Sequence, residues 1–168
     1  MIFKLECNGV AAEDVQAAME CSNAYANNAQ VVIVRADVAD QYQTVESVAD
    51  LTFAVENGSA GEEVIDGLGF ANKTEVDTQA NALMEVAAGT SDAAVIDSLM
   101  AAAMVGEGTS YANLTYTVAL NSEEYGAGFR KGSDLAAALN DFMAEAYADG
   151  SMMAIAEIYG VQAAIIAQ

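Results

Sequence analysis

"GTSDAAVIDSLMAAAM", residues 89–104, carries the reading that decides the fold. Ala93 to Ile96 form a short unbroken apolar run, which in a chain of this composition reads as a buried strand. Asp97 ends that run, and a helical pattern opens at Ser98. The same alternation extends in both directions. Strands are expected near 31–35, 52–56 and 74–77 on one side, near 115–119 and 126–130 on the other, and near 2–6 at the start. Ala-rich helical stretches fall between them near 12–20, 44–49, 60–68, 79–88 and 98–105. Strand and helix taking turns in this way is the pattern of an α/β sheet with crossover helices. The C-terminal part is helical, with Leu135, Leu139, Phe142, Met143 and Tyr147 on one stripe, a break at Gly150, and a resumption from Met153 to Tyr159. The chain has no proline, so its turns rely on Gly, Asn, Asp and Ser.

Composition limits the partners. The 168 residues carry 25 acidic against 5 basic side chains, a formal charge of −20. Such a charge repels a phosphate backbone and an anionic lipid surface, arguing against nucleic acid and direct membrane docking. Hydrophobic residues reach 54% and are spread along the whole chain, as in a globular protein. No apolar run approaches the roughly 20 residues of a membrane helix, and "MIFKLECNGV" lacks the pattern of a signal peptide. Histidine is absent, which removes the commonest general base and metal ligand. Cys7 and Cys21 have no further Cys or His to complete a zinc site, so either they pair with each other or they remain free thiols. Neither a metal nor a cofactor is expected. Glu13, Asp14 and Glu20 read as a solvated helix face, and Asn23, Asn27 and Asn28 as a polar loop.

The only two arginines end "VVIVR", 31–35, and "GAGFR", 126–130. These segments are the natural internal boundaries, giving units 1–34, 35–127 and 128–168, with the two arginine-ended strands side by side as a hinge. Two other stretches concern binding. "LTFAVENGSAGEEV", 51–64, is a strand, a glycine loop and a helix start, whose N–H groups suit a carboxylate or phosphate. The Ser59 and Glu62 spacing is equally that of a capping box, which needs no ligand. Asp97 either faces a ligand crevice at the strand end or caps the helix that follows.

Four stretches together resemble the solute-binding proteins of polar amino acid ABC transporters, which have the type II periplasmic binding protein fold. They are "CSNAYANNAQVVIVRAD", "SVADLTFAVENGSAGEE", "ALMEVAAGTSDAAVIDSLMAA" and "SEEYGAGFRKGSDLAAALNDFMAEAYADGSMMAIAEIYG". They keep the family's order and spacing from about Cys21 onward. The resemblance implies an α/β chain with a complete second lobe, two hinge strands, and the returning C-terminal helices of a partial first lobe. It implies an amino acid ligand in a cleft, an ABC permease as partner, a periplasmic or extracellular location, and no enzymatic activity. Asp97 matches the family's acid for the α-ammonium group. Ser59 and Ala60, with Gly58 and Gly61 around them, match the loop that meets the α-carboxylate.

The departures lie at the N-terminus. "CNGVAAEDVQAAM" resembles the family's "NG-x-T-x-T-x-x-R" segment, but Val15 or Gln16 stands where the carboxylate-clamping arginine is expected, and Ala11 or Ala12 replaces the hydroxyl. Much of the first lobe has no counterpart. The resemblance therefore implies a truncated binding protein with impaired capture. The apolar stripe of the returning helices then needs cover, and a homodimer is expected to provide it. Two alternatives stand beside this: a non-binding structural, evolutionary-intermediate or engineered module that folds as a homodimer, and a dehydratase-like enzyme acting on cyclic acids.

Overall fold

Val31 to Val34 are buried without exception, because their strand is flanked on both edges and covered on both faces. The computed structural model describes residues 19–168. In it β3 (Gln30–Arg35) pairs antiparallel with β6 (Ala93–Asp97) and with β7 (Leu114–Ala119). β4 (Phe53–Glu56) runs parallel to β6 and to β5 (Lys73–Val76). The sheet order is β5-β4-β6-β3-β7.

Successive strand residues point to opposite faces, and each face has its own core. Ile33, Ala54, Ala94 and Ile96 pack with Leu83 and Val86 of α3 (Gln79–Ala88). Val32, Val34, Phe53, Val55 and Val95 pack with Val48 of α1 (Val45–Val48) and Ile65 of α2 (Ala60–Leu68). Phe53 also stacks on Phe70, ring centroids 5.4 Å apart. Two helices end on glycines in the left-handed region, Gly69 at φ 74° and Gly89 at φ 76°, where a β-carbon would be strained. Helix α4 (Ser98–Met104) follows β6 directly.

The described residues divide into two compact units. The central unit is Ala29–Ser122, and the flanking unit joins residues up to Asn28 with Glu123–Gln168. The boundaries expected from the arginines lay at 34/35 and 127/128. In the flanking unit β1 (Met19–Cys21) pairs antiparallel with β9 (Gly128–Arg130), and β2 (Ala26–Asn28) with β8 (Glu123–Tyr125). Helices α5 (Leu135–Ala148) and α6 (Ser151–Ile158) follow, separated by Gly150 at φ 81°. The C-terminus returns to the same unit, where the Ile166 N–H donates to the Tyr25 carbonyl at 3.0 Å and Gln168 Nε2 to the Ala24 carbonyl at 2.9 Å.

Helices α2 and α3 match their expected spans of 60–68 and 79–88. Three expectations need correction. Met19 and Glu20 are in a strand, where a helix over 12–20 was expected, because their backbone finds partners in Phe129 and Arg130. Asn27 and Asn28 likewise form strand and not loop, paired with Glu124 and Glu123. The two arginine-ended strands are not partners, since β3 is occupied on both edges within the central sheet and β9 pairs with β1. The pair beside the unit boundaries is β2 with β8. A short 3-10 helix, Ala36–Gln41, follows β3. The strand near 2–6, most of the helix near 12–20, Cys7, Ala11, Ala12, Glu13, Asp14, Val15 and Gln16 lie outside the described residues. Cys21 is a free thiol.

Candidate functional site

The parallel strands β4 and β6 end side by side, with Val55 opposite Val95. The segments leaving them therefore start at the same sheet edge. From β4 the chain enters residues 57–59 and then α2; from β6 it reaches Asp97 and then α4. The C-terminal edge of parallel strands is where α/β sheets form ligand crevices. Two of the sequence-derived candidates, the 58–61 loop and Asp97, are brought together here although 36 residues or more separate them in the chain.

Asp97 is the residue before α4, yet its side chain makes no capping hydrogen bond. Both carboxylate oxygens have other work. Oδ1 accepts from Gln30 Nε2 at 2.7 Å, and Oδ2 accepts from Gln79 Nε2 at 2.8 Å. The Asp97 N–H in turn donates to Gln79 Oε1 at 3.0 Å. The capping alternative for Asp97 is therefore overturned, because two glutamine amides turn the carboxylate away from the helix it precedes. Each glutamine comes from a different element. Gln30 is the cross-strand partner of Asp97 at the start of β3, and Gln79 is the first residue of α3.

The α2 end is arranged differently. Ser59 caps the helix, its Oγ accepting from the Glu62 N–H at 3.2 Å. The other half of a capping box would send the Glu62 carboxylate to the Ser59 N–H. Instead Glu62 Oε2 accepts from the Gly58 N–H at 2.7 Å, while the Ser59 N–H donates to the Glu56 carbonyl. Lys73 of β5 holds Glu62 in this position, with Nζ 2.6 Å from Oε1 and 2.9 Å from Asp66 Oδ1. These bonds depress the Glu62 pKa, with Lys73 as the larger cause and the Gly58 N–H the second, and they raise that of Lys73. The first-turn N–H groups of Ala60 and Gly61 meet no acceptor among the described residues, the usual condition of a helix start and one that favours an anion.

Gln30 connects the two ends. It is almost fully buried, at 1% exposure, and its Oε1 lies 3.1 Å from the place a Cβ would occupy on Gly61. Val95 Cγ1 is equally close to that place. Gly61 is thus a glycine of close approach, letting the start of α2 pack on Gln30 and the core. Sequence reasoning singled out Gly58, Ser59, Ala60, Gly61 and Asp97 and missed Gln30 and Gln79. One signal pointed to Gln30: a lone amide at the head of the apolar run "QVVIV".

Arg35 takes no part in this arrangement. At the other end of β3 its guanidinium pairs with Asp37, Nη2 to Oδ2 at 2.7 Å. A cavity of about 210 Å³ there is lined by Arg35, Tyr42, Ser91 and Asp92 among others. Among the described residues no group of three or more His, Cys, Asp or Glu side chains is placed to hold a metal ion.

No protein-family model matches the chain, and no curated protein does. Solved structures do match. A mutant of ArgBP from T. maritima is 27% identical, with a TM-score of 0.75, over 88% of this chain and 64% of its own. The ancestral amino acid-binding protein AncCDT-1, described as a precursor of cyclohexadienyl dehydratase, is 25% identical with a TM-score of 0.75, over 90% of this chain and 65% of its own. The amino acid ABC transporter substrate-binding protein AbpA from Streptococcus pneumoniae, bound to L-arginine, has a TM-score of 0.77 at 18% identity, over 90% of this chain and 65% of its own. The chain thus spans about two thirds of the length of the proteins it matches. The likeness first read from the sequence is borne out: this chain is similar to the polar amino acid solute-binding proteins and has the type II periplasmic binding protein fold.

Proposed function

We propose that the chain is a solute-binding protein whose central unit holds one side of an amino acid site. Asp97 receives the α-ammonium group, and the N–H groups of Ala60 and Gly61, with the Ser59 hydroxyl, receive the α-carboxylate. The observation that carries this reading is the Asp97 carboxylate, withheld from capping α4 and held beside the open start of α2 by the side chain of Gln30. An acid and a set of N–H donors at one strand edge complement the two charges of a zwitterion, and each contact gains strength as water is excluded. The matched binding proteins, one of them bound to L-arginine, support an amino acid as the ligand class.

The reading includes weak capture. The arginine that family members use against the carboxylate is matched here by Val15 or Gln16, and loss of a bidentate contact leaves a buried carboxylate poorly compensated. It also places the protein in the periplasm or outside the cell, delivering ligand to an ABC permease, as a binding component and not an enzyme. Among the described residues no helix is long and apolar enough to cross a membrane.

A thermal-shift scan against the common amino acids tests the proposal. A ligand at a hundred times its Kd adds about 2.7 kcal/mol of stability, and Asp97→Ala abolishes that gain. Absence of any shift from folded protein would sink the binding reading, and turnover of a cyclic acid would sink the non-enzymatic one.

Self-association is a second reading, favoured by one observation. Phe142 is 65% exposed and Ile158 78%, with Leu135, Ile155 and Tyr159 also exposed on the C-terminal helices. A second copy of the chain covering these side chains gives a homodimer, and a monomeric mass in dilute solution would remove it.

A further inference from the structure

We propose that Gln79 is a positioning and specificity-determining residue, acting with Gln30 to aim the Asp97 carboxylate at a cationic nitrogen. The inference rests on the solute-binding reading above and adds the means by which the acid is held. Gln79 contacts one residue twice: its Nε2 donates to Asp97 Oδ2 at 2.8 Å and its Oε1 accepts from the Asp97 N–H at 3.0 Å. A single carboxamide thereby fixes both the main chain and the side chain of Asp97. Gln30 holds the other oxygen at 2.7 Å. The two amides come from different elements, β3 and α3, and hold the carboxylate from both oxygens, whereas the helix that Asp97 precedes receives no capping bond from it.

The chemistry of the donor matters as much as its place. A lysine or arginine at 79 would orient the acid equally well but would neutralise it. An amide supplies the hydrogen bond and adds no positive charge of its own. The clamp therefore favours a ligand that brings its own positive charge, a primary ammonium, over a neutral amide or hydroxyl of the same size. Holding the acid in advance also lowers the ordering cost at binding.

Gln79→Leu and Gln79→Lys in the full chain separate positioning from mere support. Affinity is measured by calorimetric titration with the tightest-binding of the common amino acids, and stability by urea unfolding of the same samples. Leucine removes both hydrogen bonds, and affinity is expected to fall about tenfold. Lysine restores a donor to Asp97, so stability recovers relative to leucine, while affinity falls about a hundredfold because the acid is neutralised. If affinity instead recovers with stability in Gln79→Lys, or is unchanged in Gln79→Leu, the proposal is overturned. Should the wild-type chain bind none of the amino acids, the solute-binding reading fails and the clamp is judged on ligand-free protein. There, side-chain amide NMR signals of Gln79 and Gln30 that move on Asp97→Ala support it, and signals that stay in place overturn it.

Discussion

The two units of this protein bury their apolar residues very differently. In the central unit the buried side chains are large: Ile33, Phe53, Ile65, Leu83, Ile96 and Leu114 are all inaccessible. In the flanking unit the buried apolar residues among those described are Ala26, Ala127, Ala136 and Ala156, while Leu135, Phe142, Ile155, Ile158 and Tyr159 are exposed. The difference is one of architecture. A five-stranded sheet offers two faces, and helices cover both, whereas the sheets among the described residues of the flanking unit are two-stranded ribbons, which offer helices a smaller surface. Stability should therefore reside in the central unit, and the flanking unit should be the one that changes with its surroundings.

The largest effect that could break this contrast is in the central core. Leu83→Ala is expected to cost about 2–5 kcal/mol in urea unfolding, the range for a buried leucine. Phe142→Ala in dilute protein should change stability by no more than about 0.5 kcal/mol; under the self-association proposed above, the same substitution shifts the mass measured by light scattering toward monomer. Equal losses from the two substitutions would mean that the flanking unit has a core after all.

Asp97→Ala sharpens the comparison within the central unit. Since Asp97 makes no capping bond, its loss is not the loss of a cap. It removes the charged acceptor of the Gln30 Nε2 and Gln79 Nε2 hydrogen bonds, and a hydrogen bond to a charged group contributes about 1.5–3 kcal/mol. Thermal unfolding of ligand-free protein measures this cost, and the ligand-dependent shift is lost in addition.

Gly61→Ala should be smaller, about 1 kcal/mol destabilising. A Cβ there meets Gln30 Oε1 and Val95 Cγ1 at 3.1 Å, and such crowding outweighs the usual helix preference for alanine. The more telling readout is ligand affinity, because any displacement of Gln30 reaches Asp97. A stabilised protein with unchanged affinity would show that the contact yields freely.

The last expectation concerns acid. The Glu62 pKa is depressed in the folded protein, chiefly by Lys73 and then by the Gly58 N–H. A depressed carboxylate contributes its stability above the unfolded pKa and loses it as pH falls through the folded one. Glu62→Gln should therefore lower stability at neutral pH, where the ionised carboxylate contributes, and flatten the acid limb below about pH 4.3, the ordinary glutamate value, so that variant and parent converge in acid. An unaltered acid limb would remove Glu62 as its source.

Much of the central unit was legible because its signals are local. The apolar runs at 31–34 and 93–96, the Ser59 and Thr78 caps, and the glycines at 69 and 89 bound their elements within a residue or two. The flanking unit was harder to read. Strands as short as Ala26–Asn28 and Glu123–Tyr125 have no periodicity to detect, and they exist because each supplies the other's hydrogen bonds. The arginines misled for a related reason: Arg35 answers to Asp37 two residues away and marks no boundary.

The sequence by itself determined the α/β class, the helices of the central unit, the family resemblance, and the candidacy of Asp97 and the 58–61 loop. Only the tertiary structure decided what Asp97 does. Gln30 and Gln79 lie 67 and 18 residues from it in the chain, and no local rule distinguishes an acid that caps its helix from one withheld by two amides. That choice depends on which donors the sheet brings within about 3 Å, and strand register sets it: Gln30 stands opposite Asp97 because β3 and β6 run antiparallel in that alignment.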